Sequence, residues 1–405
     1  MNKFIDRRRL SKALLYPMEM TMLNFIFQNP TKVIFGRDAI SRISGEVPRD
    51  ARVMVVCGAQ SARKYGVLDE VLAALAGFDI TEFGGIGPNP EYDTLACGIT
   101  LAREKKIGFL LAIGGGSVID GTKFMAAAIP FSGEPYLLLE NKGDAIRRAL
   151  PLGAVLTLSA SGSEMNNRAI ISRRAVNWKR AIMNDFLFPR FAVLDPTKTF
   201  TLPPVEIGNG VVDTFVHVLE QYLTYPVQGK VQDRLAEGLL LSLIEEGPKA
   251  LAEPENYDVR ANLMWASTLA LNGLIGAGVP QDWAAHRAGY ELTVLYGLAH
   301  AQTLAVLVPA MLKVRSAGKK QKLLQYGERV WGVSSGTEAS RINAAIDRTR
   351  VFFETMGLPT RLEDYGIKKV DADRVVELLA EHGLTQMGES GDVTPDTIRE
   401  ILALC

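Results

Sequence analysis

Runs of apolar residues alternate with amphipathic segments in the first half of the chain. Two of the runs, VMVVC and IGFLLAI, are apolar at every position, and a segment with helical periodicity follows each of them. Strands that are apolar on both faces and separated by helices are typical of a parallel sheet covered by helices on both sides. The predicted elements are strands at residues 53–57, 107–113, 154–158 and 191–194, helices at 66–75 and 118–128, and a pair of short strands within 25–35.

The pattern changes after Pro203 and Pro204. From about residue 205 onward the apolar positions recur with a helical period, and no strand is predicted. The fold class is therefore α/β plus all-α, a Rossmann-like parallel-sheet domain followed by an α-helical domain. We place an N-terminal tail at residues 1–22, the α/β domain at 23–203 and the α-helical domain at 204–405.

A predicted helix at residues 210–222 carries two candidate metal ligands. Asp213 and His217 are four residues apart, which places both side chains on one helical face. His286 and His300 follow, so three of the four histidines of the chain could join one carboxylate around a divalent ion. One oxygen and three imidazole nitrogens suit Fe²⁺ or Zn²⁺ better than Ca²⁺ or Mg²⁺. The alternative is a surface Asp–His pair together with histidines that are satisfied within the core.

A glycine-rich turn follows the second buried run. Gly114, Gly115 and Gly116 precede Ser117 and open the next predicted helix. Glycines allow the backbone to approach a ligand closely, and the first turn of a helix offers free N–H groups to an anion. The turn is a candidate pyrophosphate site, although it lacks the GxGxxG fingerprint and could be only a tight strand-to-helix connection.

The turn after the first buried run favours NADP(H) over NAD(H). Dinucleotide folds that bind NAD hold the ribose 2′-hydroxyl with a carboxylate near the end of an early strand. In this chain Gly58 begins a turn that contains Ser61, Arg63 and Lys64 and no carboxylate. A turn between two prolines could bring Asn89 into the same cleft, and solvated loop charges are the alternative interpretation of the basic residues.

Composition points to a small-molecule partner. The 405 residues contain 45 Lys plus Arg and 45 Asp plus Glu, so the chain lacks the basic excess of many nucleic-acid-binding proteins. No apolar run approaches the length of a membrane span. The three cysteines are far apart and form no CxxC pair, which predicts a reducing compartment and a cytoplasmic protein. The basic residues 1–22 could instead be a targeting segment or a leader translated upstream of a later methionine.

Seven motifs in order resemble the iron-containing (group III) alcohol dehydrogenases, and most closely their NADPH-dependent aldehyde reductase and butanol dehydrogenase branch. The resemblance covers the chain from about residue 24 onward. The motifs are NPTKVIFG, GGGSVIDGTKF, TLSASGSE, FAVLDP, NGVVDTFVHVLEQY, GAGVPQDWAAH and GLAHAQTLA.

The resemblance implies a site that both domains share. It assigns all four metal positions, with His286 and His300 at the family's separation of fourteen residues. It also implies an NADP(H) site. The implied cofactor residues are Gly58 and Ser61 at the adenosine ribose, Asn89, Gly115, Gly116 and Ser117 at the pyrophosphate, Thr157 to Ser161 along the nucleotide, and Lys179 near a ribose.

Three aromatic residues depart from the family pattern. Tyr290 stands where the family commonly has a histidine close to the nicotinamide, Tyr296 replaces another histidine, and Trp178 is also unusual. We expect Tyr290 either to relay a proton to the product oxygen or merely to fill the pocket. These departures affect proton delivery and substrate shape rather than metal binding.

The predicted function is hydride transfer between NADP(H) and a small aldehyde or primary alcohol, with a divalent metal as Lewis acid. Three alternatives remain open: a lyase of the dehydroquinate synthase type, a metal hydrolase, and a non-catalytic NADP-binding protein. The resemblance also implies a homodimer, in which the segment at residues 25–35 could pair between subunits.

Overall fold

The structure is a computed structural model that describes residues 21–176 and 178–405. The predicted tail therefore lies almost entirely outside the described residues. The strands are β1 Lys32–Phe35, β2 Arg52–Gly58, β3 Asp79–Ile86, β4 Phe109–Gly114, β5 Leu152–Leu156, β6 Arg168–Arg173, β7 Trp178–Met183 and β8 Phe191–Leu194. The helices are α1 Ser61–Lys64, α2 Val67–Ala74, α3 Tyr92–Glu104, α4 Gly116–Ala128, α5 Leu137–Glu140, α6 Pro204–Tyr222, α7 Lys230–Ala252, α8 Tyr257–Ala270, α9 Ala284–Tyr296, α10 His300–Val314, α11 Lys320–Arg329, α12 Glu338–Thr355, α13 Ala372–Glu381 and α14 Pro395–Leu402.

Six strands form one parallel sheet in the order β1-β8-β5-β4-β2-β3. Successive side chains of a strand point to opposite faces, so β2 contributes Met54 and Val56 to one apolar cluster and Val53 and Val55 to another. Both faces of the sheet are therefore buried. This arrangement confirms the parallel-sheet α/β fold class predicted from the continuous apolar runs.

After β8 the regular elements of the described chain are helices, apart from one isolated antiparallel bridge between Met387 and Val393. Helix α6 lies at the centre of this part, packs against α7, α8 and α10, and is buried along most of its length. Its neighbours share one large apolar cluster with it. The all-α fold class of the second half is thus confirmed.

Helix α6 packs directly on the loop that follows β5. Thr214 donates a hydrogen bond to the carbonyl oxygen of Ala160 over 3.2 Å. At Gly210 a Cβ atom would lie 2.4 Å from the carbonyl oxygen of Ser159, so only glycine allows this approach. These contacts bring the helix that carries Asp213 against the sheet end where the glycine-rich turn lies.

Several elements were not predicted from the sequence, and one prediction was wrong. Strand β3, helix α3 and the antiparallel hairpin β6–β7 were not recognised. The predicted strand pair within residues 25–35 is a single strand, β1, which pairs with β8. The side chain of Asn29 instead donates to the carbonyl oxygens of Met165 and Asn272, so this segment is held by the loops and not by a hairpin.

No helix among the described residues is long and apolar enough to cross a bilayer.

Candidate metal centre and nucleotide cleft

The four candidate metal ligands converge on one carboxylate oxygen. The Nε2 atoms of His217, His286 and His300 lie 3.6, 3.7 and 3.7 Å from Oδ1 of Asp213. In a tetrahedral site with bonds of about 2.0–2.2 Å, neighbouring ligand atoms lie about 3.3–3.6 Å apart. Ligand atoms of Asp213, His286 and His300 are all within 4.8 Å of one another, and His217 joins this set through its distance to Asp213.

The unsatisfied atoms of this cluster fit a cation. Oδ1 of Asp213 and Nε2 of His286 are buried and have no hydrogen-bond partner among the described residues. Burial lowers the pKa of His217 to about 4 and that of His300 well below its ordinary value, so both imidazoles are neutral near pH 7. Neutral imidazole is the form that ligates metals. The residues present therefore fit a divalent ion.

Glu220 orients His286 from behind. Its carboxylate bonds Nδ1 of His286 and accepts a 2.7 Å hydrogen bond from the backbone N–H of Ala285. A carboxylate on the far nitrogen of a ligating histidine fixes the tautomer and the ring orientation. Burial lowers the pKa of His286, but Glu220 and Asp213 outweigh burial and raise it to about 9. Nε2 of His286 therefore attracts positive charge, which a proton or a metal ion can supply.

Sequence reasoning missed Glu220, although a signal was present. Glu220 is three residues after His217 and seven after Asp213, so all three side chains belong to one face of α6. An acidic residue that continues the face of two candidate ligands is a candidate for this supporting position.

A buried ion network fixes the segment that leads into His286. Asp282 accepts from the backbone N–H of Ala284, and its own N–H donates to the carbonyl oxygen of Glu220 over 2.8 Å. The Asp282 carboxylate pairs with Arg315 and Lys319, and these cations also pair with Glu389. Each of these four side chains is only 4–5% exposed, which is comparable to an apolar core residue.

The glycine-rich turn lies at the start of α4, as predicted. Gly115 precedes the helix, and no side chain of the described residues caps the first turn. The first N–H groups are therefore available to an anion. At Gly116 a Cβ atom would lie 2.1 Å from Oγ of Ser161, so the close approach of the loop after β5 also requires this glycine.

A short polar chain connects the glycine-rich turn to the histidine cluster. The backbone N–H of Asn89, a residue with a φ of 56°, donates to Oγ of Ser117 over 3.2 Å. Lys179 donates to Oδ1 of Asn89 over 2.8 Å, and its ammonium group lies 4.5 Å from the ring centroid of Tyr290. The ring of Tyr290 in turn lies 5.5 Å from that of His300. The hairpin β6–β7 thus brings Lys179 between the predicted nucleotide and metal positions.

The turn after β2 has a partly different charge distribution from the predicted one. Gly58 ends β2 and Ser61 begins α1. Arg63 forms a 2.5 Å ion pair with Glu82 on the adjacent strand β3, which the sequence pattern did not reveal. Ser61 and Lys64 therefore remain as the candidate contacts to a 2′-phosphate.

Only one of the three unusual aromatic residues contacts the candidate site. Burial and the Asp213 carboxylate raise the pKa of Tyr290, so its phenol keeps its proton. Trp178 instead packs in the sheet core against Tyr136, with Arg180 above its ring. The hydroxyl of Tyr296 accepts from the backbone N–H of Asp371. The expectation that Trp178 shapes the substrate pocket is therefore wrong, because its side chain faces the core.

These features define a class of protein, and comparison with known proteins agrees. The profile of iron-containing alcohol dehydrogenases matches residues 30–196, and that of the C-terminal part of the same family matches residues 208–405. The chain belongs to the iron-containing alcohol dehydrogenase family.

Individual relatives cover nearly the whole chain. It is 55% identical to the NADPH-dependent aldehyde reductase YqhD of Escherichia coli over 94% of this chain and 99% of the relative. It is 36% identical to NADH-dependent butanol dehydrogenase A of Clostridium acetobutylicum over 95% of this chain and 99% of the relative. A crystal structure of E. coli YqhD superposes with a TM-score of 0.94 at 54% identity, and covers 95% of this chain and 99% of that chain.

Proposed function

We propose that the protein is an NADP(H)-dependent oxidoreductase that interconverts small aldehydes and primary alcohols at a site holding one divalent metal ion, Fe²⁺ or Zn²⁺. The observation that carries the proposal is the convergence of three imidazole Nε2 atoms on Oδ1 of Asp213, one aromatic ring away from Lys179. The similarity to an NADPH-dependent aldehyde reductase supports the choice of reaction and cofactor.

The proposed ligands of the ion are Asp213, His217, His286 and His300. When bound, the ion would supply a Lewis acid for the substrate oxygen and NADP(H) would supply the hydride. Glu220 holds the ring of His286 in one orientation through Nδ1. The protein thereby presents a ligand set that needs little reorganisation on binding.

The proposed cofactor contacts follow from the two turns and the hairpin. The free N–H groups at the start of α4, near Gly115 and Gly116, would hold the pyrophosphate. Asn89, fixed by Ser117 and Lys179, would contact the adjoining ribose and phosphate groups. The remaining proposed contacts are Gly58 and Ser61 at the adenosine end and Thr157 and Ser161 in the loop that follows β5.

Lys179 is a better candidate than Tyr290 for delivering the proton that reduction requires. An efficient general acid has a pKa near the working pH. Burial lowers the pKa of Lys179 to about 8, whereas burial raises that of Tyr290 above its ordinary value. In this proposal Nζ of Lys179 donates the proton, and the ring of Tyr290 packs beside both Lys179 and His300.

Variants at these two positions separate the roles. Lys179→Met should lower kcat and remove the limb of the pH profile that depends on an ionisation near pH 8. Tyr290→Phe keeps the ring and removes only the hydroxyl, so the shape of the profile should persist. If the pH dependence of kcat disappears in Tyr290→Phe and persists in Lys179→Met, then Tyr290 and not Lys179 is the proton donor.

Further proposals concern organisation. We place the domain boundary at Pro203, since the last strand ends at Leu194 and α6 begins at Pro204. Phe25 and Ile26 are exposed, Ile26 to 99%, and support a homodimer in which this segment contacts a second copy. Light scattering tests the homodimer, and a monomer at micromolar concentration would contradict it.

The unpaired cysteines support a cytoplasmic location.

The decisive experiment measures NADPH oxidation with butanal on chelator-stripped protein, before and after Zn²⁺ or Fe²⁺ is added, with NADH in parallel. His300→Ala should lose both bound metal and turnover. His382→Ala is the matched control, since His382 is the one histidine outside the cluster and bonds Glu291 instead.

Each outcome bears on a different part of the proposal. Turnover restored by metal in the wild type and in His382→Ala, but not in His300→Ala, supports it. Binding of metal and NADPH without turnover of any aldehyde would favour a non-catalytic NADP-binding protein. Equal metal content in His300→Ala and His382→Ala would show that the four residues do not form the site.

A further inference from the structure

Two arginine side chains beside the histidine cluster have no acidic partner among the described residues. Arg168 is the first residue of β6 and is half-buried. Arg287 directly follows His286 on α9 and is also half-buried. Burial lowers the pKa of Arg168, and the charge of Arg287 lowers it further.

Arg168 and two candidate metal ligands pack around the indole ring of Trp283. The guanidinium carbon of Arg168 is 5.4 Å from the ring centroid of Trp283. That centroid is 5.3 Å from the ring of His286 and 6.2 Å from the ring of His217. Arg168 therefore shares one aromatic neighbour with the ligand set.

The surrounding backbone fixes these side chains. The carbonyl oxygen of Arg168 accepts from the buried ammonium of Lys123 over 2.9 Å, and its N–H donates to Oδ1 of Asn166 over 3.0 Å. Trp283 has a φ of 62°, a left-handed conformation that is costly for a bulky residue, and its Nε1 donates to Gln281 over 2.8 Å. Such conformations occur preferentially at binding and active sites.

A half-buried guanidinium group without an anionic partner is unfavourable. Withdrawing a guanidinium group from water costs free energy that an ion pair or strong hydrogen bonds normally offset. Elsewhere in this chain the buried arginine Arg315 is surrounded by carboxylates. The contrast indicates that the partner of Arg168 is an anion that is not part of the described chain.

We propose that Arg168 binds a carboxylate at the far end of the substrate, so that the preferred aldehydes are short-chain oxo acids. This inference rests on the proposed function and specifies its substrate class. The planar guanidinium group binds a carboxylate through two parallel hydrogen bonds. Because Arg168 and the metal ligands pack around the same indole ring, a short carbon chain is sufficient to reach from one to the other.

The position of Arg168 distinguishes a substrate anion from the phosphates of the cofactor. The proposed pyrophosphate contacts are the start of α4 and Asn89, which Lys179 bonds. Arg168 instead contacts Trp283, whose ring packs on His217 and His286. The guanidinium group thus lies on the side of the metal ligands.

The test compares 4-oxobutanoate with butanal, which has the same chain length and no charge. The measured quantity is the ratio of kcat/KM for 4-oxobutanoate to kcat/KM for butanal. Arg168→Gln should lower this ratio on the order of 10–100-fold, the effect of a lost charge-assisted hydrogen bond. Arg168→Lys, which keeps the charge, should recover part of the lost ratio.

Arg173→Gln is the matched control for Arg168→Gln, because Arg173 ends the same strand but packs over Tyr92 and Tyr136.

A binding measurement makes the test independent of turnover. Calorimetric titration of metal-free protein with 4-hydroxybutanoate should show saturable binding in the wild type and in Arg173→Gln, and none in Arg168→Gln. Titration with 1-butanol gives the uncharged reference. NADPH titration of the same variants shows whether Arg168 contacts the cofactor.

The outcomes separate the two proposals. If butanal and 4-oxobutanoate turn over with a ratio that Arg168→Gln does not change, the inference falls and the proposed function stands. A loss of NADPH affinity in Arg168→Gln that accounts for the whole effect would also overturn the inference. If neither aldehyde turns over, the proposed function fails, and binding of 4-hydroxybutanoate alone then decides the role of Arg168.

Discussion

Replacing Glu220 with glutamine tests the metal centre without removing a ligand. Glutamine has nearly the same volume, and its one carbonyl oxygen can accept from Nδ1 of His286 while the amide nitrogen replaces the oxygen that accepts from the N–H of Ala285. His286 then keeps a partner at Nδ1 but loses the adjacent negative charge. Substitution of such supporting groups typically weakens metal binding about 10–100-fold. We expect this loss for Glu220→Gln when no proton competes for the ligand.

Protons do compete at neutral pH, and they change the size of the effect. The pKa of His286 in the metal-free protein is raised to about 9, since the Glu220 and Asp213 carboxylates outweigh burial. A metal ion must therefore displace a proton from Nε2, which weakens apparent wild-type binding by about 100-fold at pH 7 and by only about twofold at pH 9. Without the Glu220 charge the pKa falls toward its ordinary value of about 6.5, and most of this competition disappears.

The two effects oppose each other at pH 7 and separate at pH 9. We expect Glu220→Gln to bind Zn²⁺ with nearly wild-type apparent affinity at pH 7 and about 10–100-fold more weakly at pH 9. Wild-type binding should release about one proton per ion at pH 7, and the variant should release fewer. The assay is equilibrium competition with a chelator in buffered metal, and calorimetry in buffers of different ionisation enthalpy counts the protons.

Glu291→Gln is the matched control for this experiment. Glu291 is also a buried carboxylate bonded to a histidine, His382, but that pair lies outside the cluster. Its replacement should leave Zn²⁺ affinity unchanged at both pH values. Equal Zn²⁺ affinity of the wild type and Glu220→Gln at pH 9 would refute the reasoning, because Glu220 would then have no effect on the ligand.

Two further predictions concern stability. Arg315→Met removes one of the two cations that pair with the buried carboxylates of Asp282 and Glu389, so the free energy of unfolding in urea should fall by about 3–5 kcal/mol. The exposed pair of Arg350 should lose at most about 0.5 kcal/mol in Arg350→Met, and equal losses would contradict the prediction. The hydrogen bond to Glu291 raises the pKa of His382. The stabilisation of the folded protein by this pair should therefore be complete below about pH 6.5, and it should disappear as the pH rises through the folded-state pKa of His382. His382→Gln should therefore lose up to about 1 kcal/mol at pH 6 and less at pH 9, and a loss independent of pH would count against an ionic contribution.

Much of the local structure could be predicted from the sequence because it depends on short periods. A continuous apolar run of five residues was sufficient to place β2, and residues 191–194 were predicted with the bounds that β8 has. The amphipathic β3 and the hairpin β6–β7 were missed, since half-exposed strands have weaker patterns than buried ones. The order of the strands could not be predicted, because the pattern of one strand does not specify its neighbour.

For the candidate site, the sequence by itself determined the residue types and those spacings that lie within one helix. Asp213 and His217 share a face of α6 because a helix repeats every 3.6 residues, and the glycines before α4 identify a possible anion site. Their proposed roles follow from these types and spacings together with the resemblance to a family.

Only the tertiary structure decided which distant residues meet. His286 and His300 reach Oδ1 of Asp213 because α9 and α10 pack around α6, and Lys179 reaches Asn89 because a hairpin carries it there. The same packing leaves Arg168 beside Trp283 without an acidic partner in the part of the chain that the structure describes. Contacts between distant segments depend on how buried surfaces fit together in three dimensions, and local periodicity contains no information about that fit.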